Sequence, residues 1–371
     1  MKKVLVTIGV IAVIAIGFFV WLNKAGKKQE VRIGVIIPLT GDYANYGNNI
    51  KNALEICFED IMQEKNKYEY KLIFEDDQAK PKMATSAINK LIFTDNVKII
   101  IGGFTSSSSV AIEPIAEQNQ VLLFSPSTST PILTSNTPYF FRNYPSDETQ
   151  AKGYAEMISN KFGLKTVSTV YSMSDYGMFA NEVFAEKISE LGGSVLGQHG
   201  YPPNTKDFRT IIAKLKKENP KGVMLLGYYN EITPLLMQAR SLDFKTQFFG
   251  QEGIESEELL NIAKESAEGL IYFVPNFDPE SPYANDFVNK YVEKHGSEPE
   301  NFGAHAYDVL KILWQLIEQF GNNPEVIKDE IVKIKNYNGV SGITSFDEDG
   351  NIIESHIMVK TINNNKFKMY E

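Results

Sequence analysis

The sequence predicts an α/β protein built from two doubly wound lobes, and two observations lead to this prediction. From Val31 onward, short apolar segments alternate with amphipathic segments of helical period. This alternation is typical of βαβ units, in which parallel strands form a sheet that is covered by helices on both faces. The alternation starts again near Thr149, and a chain of 371 residues is long enough for two domains of ordinary size.

The first half begins with a predicted strand at Val31–Ile37 and a loop at Pro38–Gly41. The segment from Gly47 to about Lys65 is predicted to be a helix, because its apolar residues recur at steps of three or four. The other elements predicted in this half are strand Lys71–Glu75, helix Lys82–Thr94, strand Val97–Ile101, helix Ser107–Gln118 and strand Val121–Phe124.

The second half repeats the pattern. Its predicted helices are Thr149–Phe162, Gly177–Leu191, Asp207–Glu218 and Glu231–Leu242. Its predicted strands are Thr166–Tyr171, Val195–His199, Gly222–Gly227, Gln247–Gly250 and Gly269–Val274. A long amphipathic helix is expected at Phe302–Phe320. The chain ends in a predicted β-hairpin with strands Ile343–Phe346 and Ile352–Thr361, because Asp-Gly is a favoured turn dipeptide.

The N-terminus differs from the rest of the chain. Met1–Lys3 is basic, and Val4–Leu22 contains no charged residue. A membrane span needs about 17–25 such residues, whereas the apolar part of a secretory signal has about 7–15. Residues 1–30 are therefore predicted to hold either an uncleaved transmembrane helix with a basic spacer or a cleaved signal peptide. In both cases we expect the rest of the chain in the periplasm or at the outer face of the cytoplasmic membrane.

Charge and composition argue against several classes of protein. The chain has 37 Lys and Arg against 46 Asp and Glu, so it lacks the excess of cations that nucleic-acid binding requires. The single cysteine, Cys57, excludes an intrachain disulfide, and the four histidines are not spaced as metal ligands. The motifs of a nucleophile elbow, a zinc protease and a phosphate-binding loop are missing from the sequence. We therefore expect no enzymatic activity, no metal and no cofactor.

Two hydroxyl-rich segments follow neighbouring predicted strands. Gly102 and Gly103 lead into a row of hydroxyl residues at 105–109, where a helix begins, and Ser125–Pro131 follows the next strand. The first amides of a helix have no partner inside it and carry partial positive charge, so they suit a carboxylate or a phosphate. Both segments lie at the edge of the sheet where open α/β folds bind ligands. An ordinary helix cap and an ordinary turn-rich loop are the alternatives.

Several motifs occur in a definite order: VRIGVIIPLTG, EDDQAKP, GGFTSSS and FSPSTSTP, followed by LGYYNE and QARSLDFKTQFFGQEG. In this order they resemble the type I periplasmic binding proteins of ABC importers, and most closely the leucine/isoleucine/valine-binding branch. The resemblance implies two Rossmann-like lobes with a ligand in the cleft between them. Lobe 1 would comprise residues 31–147 and 276–342, and lobe 2 residues 148–275 and 343–371. The three hinge crossings would lie near Pro145–Gln150, Val274–Asn276 and Ser341–Thr344.

The resemblance also implies a site for an amino acid with a branched-chain or otherwise apolar side chain. Ser106, Thr128 and Ser129 would bind its carboxylate, through hydroxyl or backbone groups. Glu252, from the second lobe, would bind its ammonium, because a charge that is buried in a dry cleft requires a partner. The aromatic residues expected to line the rest of the cleft are Tyr46, Tyr176, Tyr228 and Phe302.

The implied partners are the amino acid and the permease and ATPase subunits of an ABC importer. An uncleaved N-terminal helix would also anchor the protein in the membrane. Two other functions stay open at this point: a ligand-sensing module for a signalling partner, and the binding of an amide or urea-type solute on the same scaffold. An amidase would need a base beside Ser106, and no histidine motif supplies one.

Overall fold

The computed structural model describes residues 28–134, 137–275, 277–353 and 356–370. The helices of these residues are α1 (Ala44–Gln63), α2 (Pro81–Phe93), α3 (Ser106–Gln118), α4 (Asp147–Glu156), α5 (Asp175–Glu190), α6 (Arg209–Glu218), α7 (Tyr229–Ser241), α8 (Glu257–Ala263), α9 (Asn285–His295), α10 (Asn301–Phe320) and α11 (Pro324–Ile331). Helix α4 continues into a π-helical turn at Met157–Lys161, and short 3₁₀ turns lie at Pro131–Thr134, Glu252–Ile254 and Lys264–Ser266.

The described strands form two main sheets and one short ribbon. In chain order they are β1 (Glu30–Ile37), β2 (Glu69–Asp76), β3 (Ile99–Gly102), β4 (Leu122–Ser125), β5 (Phe140–Arg142), β6 (Thr166–Ser172), β7 (Ser194–Tyr201), β8 (Gly222–Leu226), β9 (Gln247–Gln251), β10 (Ile271–Pro275), β11 (Tyr337–Gly339), β12 (Gly342–Thr344), β13 (Ile357–Ile362) and β14 (Phe367–Met369). The sequence did not predict β5, α8, α9, α11, β11 or β14, most of which are short.

The first lobe contains a five-stranded parallel sheet in the order β2-β1-β3-β4-β5. Helices α1 and α10 cover one face, where Leu54 of α1 and Leu313 of α10 join the same buried cluster as Val35 of β1. Helices α2 and α3 cover the other face, where Leu91 and Ile112 pack against Ile100. A parallel sheet that is buried on both faces requires strands of nearly continuous apolar sequence, which explains the composition of β1 and β3.

Two glycines allow close approaches in this lobe. Gly102 ends β3 with a φ of +142°, and a Cβ there would lie 2.5 Å from the carbonyl oxygen of Ile36. Gly303 lies where α10 crosses α1, and a Cβ there would lie 2.3 Å from Oδ1 of Asn49. Any larger residue at either position would push these elements apart.

The second lobe contains a seven-stranded sheet in the order β14-β13-β10-β9-β8-β6-β7. The five neighbouring strands β7, β6, β8, β9 and β10 are parallel. Strands β13 and β14 extend the sheet with antiparallel pairs. Separate apolar clusters fill its two faces, one around Leu225 and Leu235 and the other around Phe249 and Phe273. The prediction of two lobes with parallel sheets is confirmed.

The chain passes between the lobes first between β5 and α4. It returns after β10, whose last residue is Pro275, because Phe277 already packs in the core of the first lobe. Helices α9 and α10 then complete the first lobe, with Phe287 and Leu310 in the same core.

The third passage lies later than predicted. Ser341–Thr344 was expected to cross, but Gly342–Thr344 pairs with β11, and Phe346 packs in the core of the first lobe. Residues 343–353 therefore remain with the first lobe instead of the second. The chain enters the second sheet between Ile353 and the start of β13.

The predicted C-terminal hairpin is largely wrong for the same reason. Among the described residues, its two arms share one antiparallel bridge, between Phe346 and Ile352. Strand β13 pairs instead with β10 and β14, because its Val359 and Ile362 belong to the apolar clusters of the second lobe. Burial against a distant strand thus outweighs the local preference of the Asp-Gly turn.

We predict that Asp308→Asn destabilises the first lobe. The buried carboxylate of Asp308 accepts hydrogen bonds from the amides of Val340 (2.9 Å) and Ser341 (2.8 Å) and from the hydroxyl of Ser341 (2.6 Å). An amide group turns a donor toward these donors, so the free energy of unfolding should fall by about 1–3 kcal/mol in urea titrations. The exposed Asp329→Asn is the control, and an equal effect in both variants would contradict this role.

Candidate functional site

Six of the eight predicted site residues lie where strands of the two sheets end, and Tyr46 and Phe302 lie in helices α1 and α10. Ser106 follows β3, and Thr128 and Ser129 follow β4, in the first lobe. In the second lobe, Tyr176 follows β6, Tyr228 follows β8 and Glu252 follows β9. Seven of the predicted side chains are buried, and Tyr228 is partly buried.

The two lobes contact each other across these residues. The hydroxyl of Tyr46, in α1, donates to the carbonyl of Gly253 in the second lobe and accepts from the amide of Tyr229 at 3.2 Å. The hydroxyl of Ser107, in α3, donates to Oδ2 of Asp175 in α5 at 2.6 Å. The structure therefore represents a closed arrangement of the lobes.

The predicted aromatic residues come together in one cluster. The ring centroid of Tyr46 lies 5.8 Å from that of Phe302 and 5.7 Å from that of Tyr228, and Tyr228 lies 5.9 Å from Tyr176. Residues of both lobes thus form a single apolar wall. Phe104 also belongs to this wall, with its ring stacked on Tyr46 at 5.1 Å. The sequence prediction missed this role of Phe104, although the residue lies inside the GGFTSSS motif.

The start of α3 provides hydrogen-bond donors. Thr105 caps the helix by accepting from the amide of Ser108 at 3.2 Å. Ser106 and Ser107 are the first two residues of the helix, and the amides of a first helical turn have no carbonyl partner within the helix. The helix cap is therefore present and uses the hydroxyl of Thr105, and the ligand-binding role of the other hydroxyls stays a prediction.

Thr128 has a structural role that the sequence did not predict. Its amide donates to Oγ of Ser125 at 3.0 Å, and its hydroxyl lies 2.6 Å from that of Ser109. The hydroxyls of Ser125, Thr128 and Ser109 lie 3.0, 3.2 and 3.3 Å from the carbonyl oxygen of Gly103. Both donors of Thr128 are thus engaged within the loop, and the roles of Ser106 and Ser129 as carboxylate ligands stay predictions.

Glu252 is buried at the first position of a 3₁₀ turn, with 5% of its surface exposed. Oε2 accepts from the hydroxyl of Tyr154 at 2.9 Å. Burial raises the pKa of Glu252 to about 7, although its own backbone amide and the hydroxyls of Tyr154 and Tyr144 lower it. A carboxylate that is buried to this extent is stabilised by a nearby cation.

The sequence did not single out three buried polar residues near the first crossing, namely Arg142, Tyr144 and Asp147. The buried guanidinium of Arg142 donates to the carbonyls of Ser129 and Thr130, at 2.8 Å each, and holds the loop after β4. Burial lowers the pKa of Arg142 to about 10. In the sequence Asp147 has the pattern of an ordinary acidic residue at a helix start, so no local signal marked it.

Comparison with known proteins gives the family. The family described as periplasmic binding protein matches residues 30–366. The chain belongs to this family. A Leu/Ile/Val-binding protein of Escherichia coli is 29% identical over 333 residues, which cover 89% of this chain and 90% of the relative. Members of the periplasmic binding protein family bind solutes and are not enzymes, which confirms the expectation of binding without catalysis.

Solved structures agree with the fold of this periplasmic binding protein. A leucine-binding protein of Thermotoga maritima has a TM-score of 0.87 and 31% identity, covering 92% of this chain and 98% of its own. A branched-chain amino acid transporter substrate-binding protein of Streptococcus pneumoniae, in complex with isoleucine, has a TM-score of 0.84 and 26% identity, with coverage of 92% and 98%. The predicted resemblance to the leucine/isoleucine/valine-binding branch is confirmed.

The predicted N-terminal apolar segment, Val4–Leu22, lies outside the described residues. Among the residues that are described, none of the helices has the length and apolar character that crossing a membrane requires. The N-terminal anchor or signal peptide stays a prediction.

We predict that Glu252→Gln changes how the stability of the ligand-free protein depends on pH. An unfolded glutamate has a pKa of about 4.3, whereas that of Glu252 is raised to about 7. Between these two pKa values the native state keeps the proton on Glu252 and the unfolded state loses it. The contribution of Glu252 to the free energy of unfolding therefore decreases as the pH rises through this interval. The melting temperature of Glu252→Gln relative to wild type should be higher at pH 8 than at pH 5.

The control for this measurement is Glu257→Gln, because Glu257 is exposed. Its melting temperature relative to wild type should be the same at both pH values. If Glu252→Gln behaved in the same way, Glu252 would not be a buried acid with a raised pKa.

We also predict that Ser107→Ala weakens closure of the lobes. The variant removes the hydrogen bond to Asp175 without altering the aromatic wall. A bond of this kind contributes about 0.5–1.5 kcal/mol, so the affinity for any ligand that requires closure should fall by about 2- to 12-fold. Titration calorimetry measures this change, and an unchanged affinity would show that the contact does not support the closed form.

Proposed function

We propose that this periplasmic binding protein captures a free amino acid with a branched-chain or other apolar side chain between its lobes and delivers it to an ABC importer. The observation that carries the proposal is the burial of Glu252 between lobes whose other wall, at the start of α3, consists of hydrogen-bond donors. An amino acid carries one negative and one positive group at adjacent positions. The two walls complement these charges.

The carboxylate of the ligand would lie against the first turn of α3. Ser106 offers its hydroxyl and its amide there, and Ser129 supports the site from the loop after β4. The helix dipole favours an anion at this position. Each of these residues was predicted from the sequence, and their role in ligand binding is part of the proposal.

The ammonium of the ligand would lie against Glu252. Its carboxylate is oriented by the hydroxyl of Tyr154, which also lies 2.5 Å from Oε1 of Gln150. A bound ammonium would keep Glu252 ionised and relieve the cost of its burial.

The side chain of the ligand would contact the aromatic wall of Tyr46, Phe104, Tyr176, Tyr228 and Phe302. This wall favours an apolar side chain, because a charge placed against it would lose its hydration without gaining a partner. The names of the relatives support the same assignment: one binds leucine, isoleucine and valine, and one was solved with isoleucine.

Binding would shift the lobes toward the closed form by rotation at the three crossings. The contacts of Tyr46 with Gly253 and of Ser107 with Asp175 exist only when the lobes meet, so a ligand that bridges both walls favours them. We propose that the closed form docks on the permease of the importer. Its place would be the periplasm or the outer face of the cytoplasmic membrane, as expected for the family.

A thermal-shift screen against the twenty amino acids, urea and short amides tests the proposal. A ligand at 100 times its Kd should stabilise the protein by about 2.7 kcal/mol, which is readily measured. Leucine, isoleucine or valine should give the largest shifts. Stabilisation by urea or amides alone would contradict the proposal and favour an amide-type solute.

We predict that Glu252→Gln lowers the affinity for the amino acid at least about 100-fold, because removing one partner of a buried ion pair costs about 3–5 kcal/mol. Calorimetry with the best amino acid from the screen measures the change. The exposed Glu257→Gln should bind as the wild type does. An equal affinity of Glu252→Gln and Glu257→Gln would refute the role of Glu252.

A further inference from the structure

Asn45, next to Tyr46 in α1, forms a further hydrogen-bonded link between the lobes. Its side-chain nitrogen donates to Oγ of Ser256, which caps α8 in the second lobe, at 2.9 Å. The same nitrogen donates to Oε1 of Glu300, which precedes α10 in the first lobe, at 3.0 Å. Because both bonds share one nitrogen atom, closure brings Glu300 to the segment around Ser256.

The segment of the second lobe that meets Glu300 is acidic. Ser256 is fully buried, and its hydroxyl donates to Oε2 of Glu258 at 2.7 Å. Glu255, one residue before Ser256, is also buried, and its Oε2 makes no hydrogen bond with the described residues. The buried Oε2 of Glu300 likewise has no hydrogen-bond partner among them. Acidic groups of both lobes therefore meet around Asn45 and Ser256.

This meeting of like charges is only partly offset by a cation. Lys360 of β13 donates to Oε1 of Glu255 at 2.7 Å. Within the described part of the chain, no ion pair involves Glu258 or Glu300. Carboxylates that meet out of water cannot all keep their charge without a cost in free energy, so one of them tends to take up a proton.

Glu300 is the group that takes up the proton. Burial, followed by the charges of Glu255 and Glu258, holds the pKa of Glu300 well above its usual value. The hydrogen bond from Asn45 acts in the opposite direction and is outweighed. In open lobes Glu300 would be away from both acids, and a hydrated glutamate has a pKa of about 4.3. Closure therefore raises the pKa of Glu300.

The other ionisable groups near Glu300 do not replace it in this role. Glu257 is exposed, so water and salt screen its charge. The remaining groups are tyrosines that stay uncharged because burial raises the pKa of each, namely Tyr46 in α1, Tyr229 in α7, Tyr272 in β10 and Tyr291 in α9. The change of charge on closure therefore falls on Glu300.

We infer that Glu300 couples closure of the lobes to pH: the lobes close on the ligand with a proton bound at Glu300, and they release the ligand more readily as the pH rises. The inference rests on the proposed function only for the choice of ligand, because the contacts are those of the lobes themselves. If closure takes up one proton, each pH unit weakens ligand binding by at most about tenfold.

The test measures the affinity for leucine at pH 6 and pH 8 by titration calorimetry. The wild type should bind leucine at least about fivefold more weakly at pH 8 than at pH 6. Binding should also take up protons, which is measured by repeating the titration in two buffers of different ionisation enthalpy. Glu252 does not produce this fall, because its ionised form, which a higher pH favours, is the one proposed to bind the ammonium.

Glu300→Gln keeps an oxygen that accepts from Asn45 and removes the charge. At pH 8 this variant should bind leucine at least about fivefold more tightly than the wild type, and its affinity should not fall between pH 6 and pH 8. A merely structural residue would lose affinity on substitution, so the gain is the decisive result. Glu298→Gln, an exposed position in the same loop, is the control and should show the pH dependence of the wild type.

Two further variants keep the test decisive. Glu300→Ala removes the carboxylate in a different way, so the fall in affinity with pH should disappear even if Glu300→Gln folds poorly. Ser107→Ala removes a closure contact that does not involve Glu300, so it should weaken leucine binding by the same factor at both pH values.

The outcomes separate the inference from the proposed function. A wild-type affinity that does not fall from pH 6 to pH 8, or an equal fall in the wild type and both Glu300 variants, would overturn the inference and leave amino-acid binding intact. Failure of the wild type to bind any amino acid would overturn the proposed function.

Small-angle X-ray scattering tests the inference without a ligand. The radius of gyration of the wild type should be larger at pH 8 than at pH 6, because the lobes open as Glu300 loses its proton, and that of Glu300→Gln should stay the same. A wild-type radius that did not change with pH would contradict the coupling.

Discussion

Acidic side chains that are buried where the two lobes meet are the constraint on which this structure depends. Glu252 and Asp147 lie out of water where the lobes meet, and burial raises the pKa of each. A carboxylate in such a place has to be protonated, hydrogen-bonded or paired. Glu252 has the hydroxyl of Tyr154, and Asp147 has Arg142 nearby without an ion pair. In the proposed function, the ammonium of the ligand would provide this partner for Glu252.

The fold supports these buried acids by fixing the surrounding backbone. Parallel strands bring their carboxyl ends to one edge of each sheet, so residues distant in sequence reach the same cleft. Arg142 donates to two backbone carbonyls of the loop after β4 and so holds that loop. Hydroxyls that donate to the carbonyl of Gly103 hold the turn after β3. Asp308 fixes the segment that precedes the third crossing.

The aromatic cluster connects closure with recognition. Tyr46 belongs to the first lobe, yet its hydroxyl bonds to the backbone of the second and its ring contacts Tyr228. The same ring faces Phe104 and Phe302. In the proposed function, an apolar ligand side chain against this wall would add contacts to both lobes at once, so the same contacts would favour an apolar ligand and stabilise the closed form.

The sequence by itself determined the fold class and the family, and it proposed the residues of the candidate site. The periodicity of apolar residues located the strands and long helices, because each element buries its own apolar face. The motifs around Ser106, Tyr228 and Glu252 could be found because each is a short continuous stretch of sequence. Only the tertiary structure decided the third crossing, since burial of Phe346 and Val359 outweighed the turn signal between them. It also decided which polar groups are engaged and buried: Thr128 is used within its loop, and Asp147 is buried at the start of α4. Such roles arise from contacts between distant segments, and these leave no mark on local sequence.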